Sequence, residues 1–197
     1  MQSRLAPVLI VSLALGIPLT ARADDGQGRF AIKGIGAYPC KTYLEERKKG
    51  GENAYMFGGW IYGYLTASNQ FQSDTFDLAP WENLDTLALY LDSYCQANPD
   101  TSFAQAMFNM TRALTDARLK TPSNPQQIGN AERQLVVYQE VVQRVQQKLT
   151  ELAHFKGEAN GIYDEATRDA LNTYQSANQL EVTGLPDQPT LHKLLRP

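Results

Sequence analysis

The chain has 197 residues, a hydrophobic fraction of 43% and a net charge of −3 at pH 7. That length accommodates one large or two small domains. Mild acidity, with the one basic run Arg47-Lys48-Lys49 set beside Glu45-Glu46, argues against nucleic acid as a partner, because phosphate recognition rewards a larger basic face.

Residues 1–23 read as a secretory signal peptide. Arg4 supplies a positive start, Leu5 to Leu19 is apolar and uncharged, and Ala21-Arg22-Ala23 forms an A-x-A cleavage site before Asp24. The apolar run contains Pro7 and Pro18 and is shorter than the roughly 20 residues that a membrane span needs. No cysteine lies near the cleavage site to carry a lipid anchor. The expectation is a periplasmic protein that does not span the membrane once the signal is cleaved. Removing the leader takes away Arg4 and Arg22 and leaves the mature chain more acidic.

Residues 24–118 form the first expected domain, of four helices. The predicted helices are Cys40 to Lys49, Asn53 to Asn69, Trp81 to Ala97 and Ser102 to Lys120, broken by Gly50-Gly51 and by Asn98-Pro99-Asp100-Thr101. The second is unusual. Tyr55, Phe57, Trp60, Tyr62 and Tyr64 crowd it, while Gly58, Gly59 and Gly63 weaken it by about 1 kcal/mol each. A tightly packed central helix is the expected reason, with an aromatic platform for a partner as the alternative. Cys40 and Cys95 are the only cysteines of an exported chain, so a disulfide is expected. The loop-entropy model assigns a bridge across so long a loop roughly 4 kcal/mol. Residues 119–134 include Lys120-Thr-Pro-Ser-Asn-Pro-Gln-Gln-Ile-Gly129, rich in breakers, and read as a linker.

Residues 135–197 form the second expected domain, of three helices. Leu135, Tyr138, Val142, Val145, Leu149 and Leu152 recur at helical spacing on one stripe. One pattern then occurs twice: Gly161, Asp164, Thr167 and Leu171, followed by Gly184, Asp187, Thr190 and Leu194. In each copy glycine suits a turn, aspartate a helix N-cap, and the residues after it a short amphipathic helix. The fold class expected is therefore all-α, a disulfide-linked four-helix domain followed by a three-helix domain.

The run Val142 to Leu149, with Gly157, Asn160-Gly161-Ile162-Tyr163, Thr167, Ala170, Tyr174-Gln175, Leu180, Gly184, Asp187, Thr190 and Leu194, resembles the small bacterial peptidoglycan-binding domain. Asn160 stands where that family usually has aspartate, Asp164 where it has glycine, and Ala153 where a glycine precedes the aromatic residue. The resemblance implies peptidoglycan as ligand. It points to the turn Asn160, Gly161 and Tyr163, the helix start at Asp164, and Arg168, Tyr174 and Gln175 as contacts. Helix N-termini favour the carboxylates of stem peptides. Tyr163 and Tyr174 fit core packing equally well, and His154 and His192 read as surface residues.

The layout Tyr38-Pro-Cys40, Gly59-Trp60-Ile-Tyr-Gly63-Tyr-Leu65 and Tyr94-Cys95 to Pro99 is similar to the small periplasmic helical proteins that include HdeA-type acid-stress chaperones. The same fold occurs in immunity proteins that neutralise cell-wall amidase toxins. That likeness implies a protein-interaction domain.

Catalytic signatures are missing. Both histidines lie in the last third, so residues 24–118 lack the histidines that zinc amidases and peptidases commonly use and hold no Cys-His pair. No G-x-S-x-G or S-x-x-K motif occurs. Glu45, Glu46, Glu52 and Glu82 leave two-carboxylate glycoside hydrolysis as the enzymatic alternative. The expectation is a non-catalytic wall-binding protein with neither metal nor cofactor. Its N-terminal domain meets a periplasmic protein partner, and an inhibitor, an acid-stress chaperone or a hydrolase are the alternatives.

Overall fold

The computed structural model describes residues 25, 27, 29–129 and 133–196; the expected signal peptide, residues 1–23, lies outside them. The chain falls into two compact units, Met1–Ala31 and Ile32–Pro197. In the first, Arg29 pairs with Asp25 at 2.8 Å. Among the described residues all α-helices and strands belong to the second. They are α1 (Cys40–Lys49), α2 (Glu52–Phe71), α3 (Leu84–Ala97), α4 (Phe103–Leu114), β1 (Pro125–Gly129), β2 (Gln134–Tyr138), α5 (Gln139–Glu151), α6 (Glu165–Ala177) and α7 (Gln188–Leu195).

Helices α1 to α4 close around Tyr43, Phe57 and Phe103, whose ring centroids lie 4.7–5.1 Å apart. Cys40 and Cys95 form the expected disulfide, with Cα atoms 4.9 Å apart. Local signals set the helix starts. The Asn83 side chain accepts the Thr86 N–H at the head of α3, and Ser102 accepts that of Gln105 at the head of α4. The cap at Asn83 starts α3 later than the expected Trp81. Helix α4 ends at Leu114 in a 3-10 turn over Thr115–Ala117, short of the expected Lys120.

The packed-helix expectation for α2 holds on one face only. Phe57, Gly58, Ile61 and Leu65 are buried, and Gly58 faces Leu84. Gly59 and Gly63 face open space, where an added Cβ would meet nothing within 4 Å. Tyr55 and Tyr62 stand exposed beside them.

The fold is mostly helical, in line with the all-α expectation, and adds one small two-stranded sheet in which β1 pairs antiparallel with β2 from Pro125↔Tyr138 to Gly129↔Gln134. Leu135 and Tyr138 thus lie in a strand rather than on the first stripe of the module. Leu135-Val136-Val137-Tyr138 is β-branched at its centre and alternates, Val137 buried and Val136 exposed. The stretch read as a linker holds β1, and Leu119 is fully buried, exchanging backbone hydrogen bonds with Asp77. Nor does the packing follow a clean partition into four helices and three. The second hydrophobic cluster, built on Val142, Val145, Leu149, Leu171 and Leu191, also takes in Trp81 from the segment before α3.

Candidate functional site

The repeated pattern has a shared device that its own residues do not reveal. In each copy a fully buried glutamine from the preceding helix holds the turn. Gln146 of α5 accepts the Gly161 N–H at 2.8 Å and donates to the Thr167 hydroxyl at 2.9 Å and the Ile162 carbonyl at 3.0 Å. Gln175 of α6 accepts the Thr183 and Gly184 N–H groups at 2.9 and 2.8 Å, and donates to the Thr190 hydroxyl and the Leu185 carbonyl at 2.9 Å. Each turn glycine has positive φ, 78° at Gly161 and 67° at Gly184. A Cβ on Gly161 would fall 2.6 Å from the Gln139 carbonyl oxygen, so backbone crowding adds to the conformational need for glycine. Asp164 then caps α6, accepting the Thr167 N–H at 2.8 Å, and Asp187 caps α7 through Thr190 at 3.1 Å.

This arrangement redistributes the sequence candidates. Gln175 is fully enclosed and its amide is engaged by the second turn, so in this fold it holds structure. The backbone of the first turn is also engaged. Besides Gln146, the β1 side chain Gln126 donates to the Gly161 carbonyl and accepts the Tyr163 N–H, and Gln139 donates to the Asn160 carbonyl. Asn160 turns its own Oδ1 to the Ile162 N–H. Tyr163 is half-buried and donates its hydroxyl to the Gly184 carbonyl at 2.7 Å, tying the two turns together. Asp164 and Arg168 remain at the surface, Arg168 paired loosely with Glu165. Hydrogen bonds from Thr167, first its hydroxyl and then its N–H, hold the Asp164 carboxyl below the usual carboxylate range. Tyr174 is buried, edge-on to the His154 ring.

Residues 138–194 match the model of a family described as a putative peptidoglycan binding domain. No curated protein and no solved structure matches the chain. The matched module begins at Tyr138, so it includes the turns, α5, α6 and α7, but neither β1 nor any of α1 to α4.

The module's surface carries a groove away from the first turn. It measures about 340 Å³ and runs between α5 and α7, lined by Lys148, Glu151, His154, Tyr174, Asn178 and Lys193. Lys148 is held by Glu151 at 2.7 Å, while Lys193 donates to the Asn178 carbonyl at 3.2 Å. This groove brings Tyr174 and His154 together with two ammonium groups and leaves out Asn160, Gly161 and Asp164. Lys148 and Lys193 carry no motif in the sequence. Their placement in one groove follows only from α5 and α7 lying side by side. Among the described residues no group of three or more His, Cys, Asp and Glu could hold a metal ion.

Proposed function

We propose that this chain is a non-catalytic, exported peptidoglycan-binding protein of the periplasm, retained at the cell wall by residues 135–197, whose α1–α4 half meets a protein partner. The family match over residues 138–194 carries the reading. The groove between α5 and α7 supports it, since the His154 ring, backed by the buried Tyr174 and flanked by Lys148 and Lys193, suits the methyls and carboxylates of wall peptides. Asp164 and Arg168 form the outer edge of the same module. The open α2 face, with Tyr55, Tyr62 and the uncovered Gly59 and Gly63, supports a protein partner. The disulfide-tied α1–α4 half favours, as second reading, an inhibitor or an HdeA-type chaperone for which wall binding provides location.

Co-sedimentation of the mature protein with purified sacculi tests the proposal. Retention in the pellet is expected, without loss of turbidity from the wall suspension. A protein that stays in the supernatant would sink the wall-binding reading, and clearing of the suspension would turn it into a hydrolase. A stoichiometric complex with an amidase or client protein would favour the second reading.

A further inference from the structure

Beyond the module's own groove, a larger cavity of about 710 Å³ opens where α7 lies against the start of α3. Its walls come from opposite halves of the chain. Asp85 and Leu89 belong to α3, while Leu180, Pro189, His192 and Lys193 belong to the module. The floor is apolar, and Leu89 lies 58% exposed in it. The rims are oppositely charged. Asp85 forms no salt bridge among the described residues and feels Arg47 only through space. Lys193 has no carboxylate partner among the described residues, and its ammonium reaches only the Asn178 carbonyl.

The two walls are locked together. Gln188 accepts the Asn83 N–H at 3.0 Å and the Thr86 hydroxyl at 2.6 Å, and donates to the Trp81 carbonyl. Arg196 pairs with the buried Glu82 at 2.8 Å and lies 5.9 Å over the Trp81 ring. A cavity whose walls are fixed this way is organised before any ligand arrives, which lowers the cost of binding. Lys193 lines this cavity and also the α5–α7 groove, so the two spaces adjoin.

We infer that this composite cavity completes the wall-binding site and takes the peptide stem of peptidoglycan. The stem's carboxylate lies toward Lys193 and His192, its free amino group toward Asp85, and its methyl groups on Leu89, Leu180 and Pro189. Opposite charges facing one another across an apolar floor complement a short zwitterionic peptide, and a neutral glycan strand satisfies neither rim. The first half of the chain is then part of the ligand site. The inference rests on the wall-binding reading proposed above.

The test is isothermal titration of the mature protein with free peptide stems released from sacculi by an amidase, and with peptide-free glycan strands. Sedimentation with intact sacculi runs in parallel. Binding of stems and none of glycan is expected. Lys193→Glu lowers stem affinity by about tenfold or more, and Asp85→Asn by about threefold, the usual range for a lost charge-assisted contact. Both side chains are exposed, so the variants keep the fold, which circular dichroism checks. Stem binding that is equal in wild type and both variants overturns the cavity, as does binding of glycan strands alone. Wild type that pellets with sacculi but ignores free stems also overturns it while leaving wall binding intact. Failure of wild type to pellet overturns the wall-binding reading and this inference together.

Discussion

At the scale of single residues, Gln146 and Gln175 are the hinges of the repeat. Each is fully buried, and each replaces water for several backbone groups at once. Removing such an amide leaves those groups buried and unpaired, which costs more than the hydrogen bonds gained on folding. Gln175→Leu, which orphans the Thr183 and Gly184 N–H groups, should lower stability by about 3 kcal/mol or more in urea unfolding. A loss below 1 kcal/mol would show that the second turn does not depend on it. Ala153 makes the opposite case. It ends α5 with φ of 61°, while the His154 N–H reaches the Leu149 carbonyl at 2.8 Å and its own N–H reaches Thr150 at 2.9 Å. Gln179 repeats the arrangement after α6 with φ of 57°. Both are the Schellman ending that glycine favours. Ala153→Gly should therefore raise stability by about 1 kcal/mol, the left-handed penalty of a Cβ, measured by the same unfolding curve. The departure from the family's glycine was legible in the sequence, but the φ that makes it costly was not.

At the scale of elements, helices bounded by strong local signals were legible. Helix α1 spans the expected Cys40–Lys49, and the Asp-x-x-Thr sequences open α6 and α7 at Asp164 and Asp187. The hairpin was not legible. Leu135, Tyr138 and Val142 satisfy a helical interval, while Leu135 to Tyr138 also satisfies a strand, and only the partner β1 decides between them. Gln126 shows why this matters, since β1 delivers it to the first turn. The disulfide joins α1 to α3, the pair it was expected to join. Replacing both cysteines by alanine should lower stability by roughly 4 kcal/mol on the loop-entropy model, read as a lower urea midpoint. An unchanged midpoint would mean that the aromatic core of Tyr43, Phe57 and Phe103 already confines the unfolded chain.

At the scale of the whole molecule, Ile32–Pro197 behaves as one unit because a few side chains cross between the halves. Trp81 enters the second core, Gln188 binds the chain before α3, and Arg144 donates to the carbonyls of Ala117 and Arg118. Glu82 lies at the centre of this seam with its side chain fully enclosed. Burial pushes its carboxyl above the ordinary value of 4.5, against the opposing pull of Arg196, and burial also moves the nearby Tyr90 hydroxyl up to about 12. A carboxyl raised in the folded state favours folding below its unfolded value, and that advantage disappears as pH rises through the folded value. Wild type should therefore gain stability relative to Glu82→Gln as pH falls from 7 toward 4.5. A difference that stays constant across that range would mean that Arg196 fully compensates the charge.

The sequence by itself determined the disulfide, the starts of α1, α6 and α7, the doubled turn-cap-helix pattern and the peptidoglycan-binding likeness of the last third. Each is written in residues close together in the chain, or in a cysteine pair with no other choice. Only the tertiary structure decided what Gln146, Gln175 and Gln188 do, that Gln175 and the Asn160–Tyr163 backbone are engaged internally, and that α3 and α7 enclose a cavity. These depend on contacts between elements far apart in sequence. A polar side chain carries no local mark of whether it will face solvent, a ligand or an unpaired backbone group in the core.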